Sequence, residues 1–271
     1  MLQRVLRSWM VMKTLKSDPP DTVSTPRFSV IIPARNDAAA LGRTLDYLGG
    51  LVRNGAVEVI VAASGDADGT ERAVAGRARL LWPPGSTRSA LMNAGAAAAR
   101  GEIFFFVHAD SFPPANGFEL IDQALSSGAV VGGAFEHLFV EPGLSLRTIT
   151  CINRIRYRLT RNYYGDQGIF VRAAVFQQMG GYKDLRILED LEFTQRLKGM
   201  GRSVLIPVPV LTSGRRLIAR GPWRTFFFIV WLLFLHTLRL DTQRHAERWR
   251  GPGESPPGSP WPRGHLHQGG W

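Results

Sequence analysis

Residues 102–114, EIFFFVHADSFPP, join an apolar run of strand length to a small polar cluster and two prolines. Every position of 103–107 is apolar, which is typical of a strand buried on both faces of a mostly parallel sheet. Pro113 and Pro114 indicate where this strand has ended. Ligands of such sheets bind beyond the carboxyl ends of the strands, so His108 and Asp110 are candidate site residues.

An aspartate at position 110 offers a carboxylate oxygen, the kind of ligand that a divalent cation bound to phosphate prefers. The same residue is explained equally well as a turn residue or a helix cap. The stretch alone therefore leaves both interpretations of Asp110 open.

The chain before this stretch repeats a strand, a polar turn and a helix three times. The apolar runs are 28–32, which is followed by Pro33, then 57–63 and 80–82. Such alternation predicts an α/β fold, with parallel strands, right-handed crossovers and helices on both faces of the sheet. Neither a Gly-x-Gly-x-x-Gly sequence nor a P-loop sequence occurs, which argues against the folds that use them.

Arg88 precedes an alanine-rich helix, and because helix N-termini bind anions, it is a candidate phosphate ligand. Further along, strands are predicted at 129–135, 137–140 and 169–171, and a last one at 203–206 that ends before Pro207. A helix is predicted over 144–159, with an arginine-rich face that is either solvated or suited to a phosphorylated or lipid-linked molecule.

The composition indicates a folded protein that binds a polyanion. The chain has 271 residues, of which 45% are hydrophobic, and a formal net charge of +11. This charge favours nucleic acid, an anionic membrane surface or a phosphorylated small substrate, without choosing among them. The single cysteine excludes an intrachain disulfide and fits a reducing compartment, so we expect a cytoplasmic protein.

Four segments are predicted. Residues 1–26 hold a basic amphipathic helix and a linker, 27–216 the main α/β domain, 217–250 an apolar and basic helical segment, and 251–271 a disordered Pro/Gly-rich tail. The helix at 1–16 is a transit peptide, a membrane-surface anchor or an extra helix, with the anchor slightly favoured. The apolar run 226–235 is shorter than the roughly 20 residues that a spanning helix needs. We therefore expect a helix that lies on a membrane surface or docks on the core, with a spanning helix as the less favoured alternative.

Five motifs occur in an order that resembles family 2 glycosyltransferases, over about 28–216. They are Ser29-Val30-Ile31-Ile32-Pro33-Ala34-Arg35-Asn36-Asp37, Ala63-Ser64-Gly65-Asp66-Ala67-Asp68-Gly69-Thr70, Asn93-Ala94-Gly95, His108-Ala109-Asp110 and Glu189-Asp190. The resemblance implies a GT-A fold, a nucleotide-diphosphate-sugar donor, a divalent metal (Mn2+ or Mg2+) and inversion at the anomeric carbon. His108-Ala109-Asp110 with Gly132-Gly133-Ala134-Phe135 is also similar to a bacterial subgroup linked in part to arsenosugar biosynthesis.

The resemblance also assigns roles by position. Asp110 fills the metal position, with His108 as a second ligand or a hydrogen-bonding neighbour, and Asp190 is the base, supported by Glu189. Ala63 stands where the family commonly has an aspartate that contacts uracil, which puts a UDP donor in doubt. The donor-binding candidates, including the possible substitutes for that aspartate, are Pro33, Ala34, Arg35, Asn36, Asp37, Asp66, Asp68, Arg88, Asn93, Arg215 and Arg216. The acceptor-binding candidates are Asp166 and Gln167.

Other functions are less consistent with these residues. A nucleotidyltransferase usually carries a Gly-rich loop with a basic residue after the first strand, which 33–36 does not resemble. A nucleic-acid-binding module would alternate aromatic and basic residues, whereas the aromatics here lie in apolar runs. Loss of the carboxylate at Ala63 suggests a degenerate protein that binds a nucleotide sugar without turnover, but retention of both Asp110 and Asp190 argues against it.

Overall fold

The computed structural model describes residues 25–52, 55–65, 69–246 and 248. Its described strands form one eight-stranded sheet in the order β3-β2-β1-β4-β7-β6-β8-β5. The strands are β1 (Phe28–Arg35), β2 (Val57–Ser64), β3 (Arg79–Leu81), β4 (Ile103–Phe106), β5 (Ser111–Phe112), β6 (Val130–Phe139), β7 (Ile169–Arg172) and β8 (Arg202–Thr212).

Helices cover both faces of this sheet, as the alternating pattern predicts. The helices are α1 (Ala38–Gly49), α2 (Thr70–Val74), α3 (Arg88–Ala98), α4 (Gly117–Leu125), α5 (Leu144–Thr160), α6 (Ala173–Gln178), α7 (Glu189–Met200), α8 (Arg215–Arg220) and α9 (Pro222–Thr237). Short 3-10 turns lie at Gly165–Gln167 and Gln243–His245.

Strand β4 separates two hydrophobic cores. Phe105 packs with residues of α1 and α4 on one face, whereas Phe104 and Phe106 pack with residues of α3, α6 and α7 on the other. Successive side chains of a strand point to opposite faces, so an apolar run without alternation fills both cores at once. The prediction of a strand buried on both faces is confirmed.

The prediction of a mostly parallel sheet is wrong, because the sheet is mixed. Pairings among β1, β2, β3 and β4 are parallel, but β7 is antiparallel to both β4 and β6, and β5 is antiparallel to β8. The chain leaves the carboxyl end of β6, forms α5 and enters β7 at that same end of the sheet. Such a connection makes neighbouring strands antiparallel, whereas the earlier strand–helix units cross to the opposite end.

Two predicted strand ends are also wrong. Strand β1 continues through Pro33 to Arg35, and Pro33 lies beside Ala62 of β2 at a point past the pairing with β4, where its missing N–H costs no ladder bond. Strand β8 continues through Pro207 and Pro209, because a register shift in its pairing with β6 accommodates them. The two strands predicted over 129–140 are one strand, β6.

Helix α5 is fixed to the sheet by charge as well as by packing. Glu136 of β6 is buried and pairs with Arg154 at 2.9 Å and with Arg158.

Helix α9 packs through Leu232 on Ile187 and Ala246. Within the part of the chain described by the structure, no helix has the length and apolar character that crossing a membrane requires. The predicted helix at 1–16 and the tail 251–271 lie outside the described residues.

Candidate active site

Two acidic side chains and two arginines meet where β1, β4 and β8 end. Asp37 follows β1 and pairs with Arg215, and its Oδ2 lies 3.3 Å from Arg216 Nη2. Arg215 Nη2 also lies 3.7 Å from Asp110 Oδ2. Burial raises the pKa of Asp110, against the opposing effect of Arg216 and Arg215. The structure therefore brings together the predicted diphosphate-binding arginines, the predicted metal ligand and Asp37 of the predicted donor loop.

Backbone and side-chain contacts hold the arginine segment beside Asp110. The Ser213 N–H donates to the Asp110 carbonyl at 3.3 Å, and the hydroxyls of Ser111 and Thr212 lie 2.8 Å apart. Glu141 accepts from Ser213 Oγ at 2.7 Å and from the Gly214 N–H at 2.5 Å. Glu141 is a positioning residue that the sequence pattern did not reveal.

The second part of the site lies at the N-terminus of α7. Asp190 is buried, and its Oδ2 accepts a hydrogen bond from the Gly165 N–H at 2.9 Å. Arg88 Nη1 lies 3.3 Å from Glu189 Oε1 and 3.7 Å from Asp190 Oδ2. Arg88, predicted to bind phosphate, is thus paired with the predicted base and its neighbour.

The pKa of Asp190 is raised toward neutral. Burial and then repulsion by Glu189 raise its pKa to about 7, although Arg88 and the Gly165 N–H act in the opposite direction. Its second oxygen, Oδ1, is buried and makes no hydrogen bond within the described part of the protein. A carboxylate whose pKa lies near neutral and which keeps a free acceptor atom is suited to remove a proton from a substrate hydroxyl.

Gly165 allows His108 and Asp190 to approach the same stretch of backbone. A Cβ atom at position 165 would lie 2.3 Å from His108 Nε2 and 2.6 Å from Asp190 Oδ2, so a side chain has no room there. His108 Nε2 is buried without a hydrogen bond to any described residue. Burial, together with repulsion from Arg88, Arg216 and His137, keeps the pKa of His108 well below its usual value, so the ring is neutral. His108 Nε2 and Asp190 Oδ2 thus both lie close to the position that a Cβ of residue 165 would occupy.

The two predicted acceptor residues have different surroundings. Asp166 is partly exposed, and its Oδ2 lies 3.5 Å from Nε2 of the buried His137. Burial lowers the pKa of His137 although Asp166 opposes this. Gln167 is buried and is used internally, since it donates to the Phe135 carbonyl at 3.0 Å and accepts from the Tyr164 N–H at 3.0 Å. His137 was not predicted, because a histidine inside a strand carries no local signal of function.

The donor candidates are dispersed. Pro33 and Ala34 lie in β1, Arg35 at its end is exposed, and Asn36 has a left-handed backbone with φ 48°. Asn93 lies in α3, where its amide donates to the Tyr182 carbonyl at 2.8 Å and accepts from the Tyr182 N–H at 2.9 Å. Asp66 and Asp68 lie outside the described residues.

The side chains around Asp110 could bind a metal ion only together with oxygen atoms of a substrate. No group of three or more His, Cys, Asp or Glu side chains suited to a metal occurs among the described residues. Magnesium-like ions that serve nucleotide substrates are usually bound by one or two carboxylates and by the substrate phosphates. The single buried carboxylate of Asp110, beside two arginines that favour phosphate, matches that arrangement.

The chain is similar in fold to several solved structures of enzymes that transfer sugars. The chain is 22% identical to mannosyltransferase PcManGT from Pyrobaculum calidifontis, solved with GDP-Man and Mn2+, with a TM-score of 0.58 over 93% of this chain and 73% of that one. It is 18% identical to glucosyl-3-phosphoglycerate synthase from Mycobacterium tuberculosis, solved with Mn2+, UDP and glucosyl-3-phosphoglycerate, with a TM-score of 0.54 over 82% and 86% of the two chains.

The chain is 17% identical to TarS 1-349 of S. aureus, with a TM-score of 0.54 over 69% of this chain. The match spans only 60% of the TarS 1-349 chain. At these identities the likenesses show the fold alone, an α/β GT-A-like fold. No curated protein matches the sequence.

The family is shown by the sequence. The model of glycosyl transferase family 2 matches residues 29–179, which is more than half of the 271-residue chain and runs from β1 to the end of α6. This region contains Asp37, Asp110 and Gly165, whereas Asp190 and Arg215 follow it. The chain carries a glycosyltransferase domain and belongs to glycosyl transferase family 2.

Proposed function

We propose that the protein moves a sugar from a nucleotide-diphosphate-sugar donor to a hydroxyl of an acceptor, with inversion at the anomeric carbon and assisted by a divalent metal. One observation carries the proposal: Asp190 is a buried carboxylate with a pKa of about 7 and an unbonded Oδ1, in the domain that also holds Asp37, Asp110 and the two arginines.

The leaving group of such a reaction is a nucleoside diphosphate, and negative charge develops on its phosphate oxygens. Arg215 and Arg216 supply positive charge at the carboxyl ends of the strands, where the fold binds ligands. Arg215 is held there by its pair with Asp37, so its position is set before the donor binds. We propose that these arginines bind the donor diphosphate, with 33–37 beside the nucleoside.

Asp110 would hold the metal together with the donor phosphates, and the ion would act as a Lewis acid toward the leaving oxygen. His108 remains predicted as a second ligand or a hydrogen-bonding neighbour.

The acceptor proton goes to Asp190. Inversion requires the acceptor oxygen to attack from the side opposite the leaving group, so its base must be separate from the diphosphate-binding residues. Asp190 meets this requirement with respect to Arg215 and Arg216, because it lies on α7 whereas the two arginines lie at the start of α8. The buried Glu189 supports it by raising its pKa. Asp166 is proposed as an acceptor contact because it is partly exposed.

We also propose that the protein is cytoplasmic and that it contacts a membrane surface through α9. Exposed aromatic residues and flanking arginines support this placement. The acceptor is then either a small molecule or a lipid-linked one. The base of the donor and the arsenosugar subgroup stay predictions.

Thermal stabilisation tests the proposal, since a ligand that binds only the native state raises the melting temperature. The purified protein is heated with nucleotide diphosphates and nucleotide sugars, each with and without Mn2+. A shift that one nucleotide gives only with metal supports a donor site and names its base. Absence of any shift contradicts the proposal and favours a protein that is not an enzyme acting on nucleotide sugars.

Two variants separate the roles in the same assay. Asp110→Asn is expected to abolish the metal-dependent part of the shift, whereas Asp190→Asn is expected to keep the shift and lose transfer. An Asp110→Asn protein that still responds to Mn2+ would remove Asp110 from the metal site. Wild-type transfer by Asp190→Asn would assign the base elsewhere.

A further inference from the structure

Helix α5 is apolar on two sides. Its inner side packs against the sheet through buried residues that include Leu146, Ile149 and Tyr157. Its outer side carries Ile152, Ile155 and Leu159, which are 39%, 57% and 80% exposed and lie at helical spacing, together with Leu144 at 81%. A helix that only covers a core presents a polar outer side, so this outer face requires another explanation.

Helix α9 has a similar outer face. Trp223, Phe227, Val230 and Phe234 follow at intervals of four, three and four residues and are 42%, 63%, 44% and 59% exposed. The opposite side is buried through Thr225, Leu232 and Leu235. The spacing places the exposed residues in one stripe, with a bulky apolar side chain at each position.

The two helices contact each other. They are also joined through the segment that precedes α8, where a Cβ on Gly214 would lie 3.0 Å from Leu146 Cδ1 of α5. We call their outer residues, Leu144, Ile152, Ile155 and Leu159 with Trp223, Phe227, Val230 and Phe234, the α5–α9 surface. Bulky apolar side chains that lie exposed on neighbouring helices indicate an interaction site.

The Arg, Lys, Asp and Glu side chains within the two helical segments are all basic. Residues 142–165 contain five arginines and no Asp or Glu, and 213–240 also contain five arginines and no Asp or Glu. Arg147 and Arg161 of the first segment and Arg224 and Arg239 of the second are exposed. An apolar stripe flanked by cations is the pattern of helices that lie in the headgroup region of an anionic bilayer.

A second copy of the chain suits this surface poorly. In a two-fold dimer the same surface of each copy forms the interface. The arginines of one copy would then approach those of the other and repel them, because neither segment contains an acidic side chain to lie between them. An anionic bilayer accepts the apolar residues into its interfacial region and pairs the arginines with lipid headgroups.

We infer that the whole α5–α9 surface docks on an anionic bilayer, with α5 as a second contact beside α9. The inference rests on the proposed membrane contact of α9 and extends it to a helix that ends five residues before Gly165 of the candidate active site. Docking through both helices holds that site at the lipid surface, whereas docking through α9 alone leaves its orientation free.

The test is co-sedimentation of the full chain with vesicles of one part phosphatidylglycerol to two parts phosphatidylcholine, with pure phosphatidylcholine for comparison. The α5 variant is Ile155→Gln with Leu159→Gln, and the α9 variant is Phe227→Gln with Phe234→Gln. Trp82→Gln is the matched control, since Trp82 is 47% exposed and lies on neither helix. Arg147→Gln is compared with Arg72→Gln, another exposed helical arginine.

We expect each helix variant to bind anionic vesicles about tenfold more weakly than the wild type, with little change for Trp82→Gln. We expect Arg147→Gln to weaken binding more than Arg72→Gln, and added salt to reduce the difference. Unchanged melting temperatures, and unchanged shifts with the donor nucleotide, would show that the α5 variant is folded and that its donor site is intact.

Wild-type vesicle binding by the α5 variant, with binding lost in the α9 variant, would overturn the inference and leave the α9 contact standing. No vesicle binding by the wild-type chain would overturn both. A concentration-dependent dimer that the α5 variant abolishes, with vesicle binding unchanged, would assign the surface to a second copy and overturn the inference as well.

Discussion

Asp37 and Arg215 lie 178 positions apart in the chain and form an ion pair in which the side chains are 4% and 11% exposed. Asp37 follows the first strand and Arg215 follows the last, so the pair joins the two ends of the fold at the candidate active site. Arg216 reaches the same carboxylate but is 56% exposed.

We expect Arg215→Gln to lower the free energy of unfolding by about 3–5 kcal/mol, because it leaves a buried carboxylate without its main partner. Arg216→Gln serves as the control and should cost about 1 kcal/mol or less, since its pair is largely solvated. Urea unfolding measures both. Equal losses would show that Arg215 is not the principal partner of Asp37, and Asp37→Asn combined with Arg215→Gln should recover part of the loss.

Gly165→Ala is expected to lower kcat by about 100-fold, because displacement of catalytic groups by as little as 1 Å can cost that much. The added Cβ would lie 2.3 Å from His108 Nε2 and 2.6 Å from Asp190 Oδ2, and both side chains would have to move. Gly49→Ala is the matched control, since no atom lies within 4 Å of its added Cβ. Steady-state kinetics measures kcat of both variants once their melting temperatures show that they are folded. A wild-type kcat in Gly165→Ala would show that the close approach of His108 and Asp190 to Gly165 has no catalytic role.

The pH dependence of transfer should follow Asp190. A base acts only when ionised, so a pKa of about 7 predicts that kcat rises about tenfold per pH unit below 7 and levels off above it. A pH–rate profile at saturating donor and acceptor measures this. A profile that is flat from pH 5 to 8 would exclude Asp190 as the titrating base.

The free energy of unfolding should also depend on Asp190, but it should fall as pH rises, whereas kcat should rise. The native pKa of Asp190 is raised from 3.8 to about 7, so the native state holds this proton more tightly than the unfolded chain does. Its stabilising contribution is therefore full below pH 3.8 and is lost as pH rises through 7. We expect Asp190→Asn to melt higher than the wild type at pH 8, with a smaller difference at pH 5. A variant that melts lower at pH 8 would contradict this.

Asn93→Asp separates a structural role from a donor-binding one. The amide of Asn93 donates to and accepts from the backbone of Tyr182, and an aspartate would lose the donor and face the Tyr182 carbonyl. We expect a loss of about 1–3 kcal/mol in the free energy of unfolding, with donor affinity nearly unchanged. Large loss of donor affinity at wild-type stability would return Asn93 to the donor site, where the family resemblance places it.

The pattern of apolar residues along a segment predicts whether that segment is buried, and strand β4 is an example. The run 103–107 is apolar throughout, so the burial of β4 on both faces can be predicted without knowing its partners. The direction of β7 cannot be predicted in this way, since it depends on which end of the sheet the chain reaches after α5. Pro207 and Pro209 mislead for a related reason, because the register shift that admits them into β8 depends on the pairing with β6.

The candidate site also contains some features that local sequence predicts and others that depend on distant contacts. The places of Asp110 and Asp190 in the fold can be predicted, because Asp110 follows a wholly apolar strand and Asp190 lies at the start of a helix. Their roles stay predictions that come from the family resemblance. The Asp37–Arg215 pair, the hydrogen bonds from Ser213 and Gly214 to Glu141, and the proximity of His137 to Asp166 all join distant parts of the chain. No pattern of neighbouring residues encodes such pairs.

The separation of Asp37 from Arg215 also sets an order of events during biosynthesis. A ribosome has made the β1–β2–β3 part of the sheet well before it reaches position 215, so Asp37 emerges long before its cationic partner exists. A nascent chain stopped at 179, the end of the region matched by the family model, lacks that partner altogether. The arginines proposed to bind the diphosphate are thus among the last parts of the folded domain to be synthesised, and a truncated product cannot form the complete candidate site.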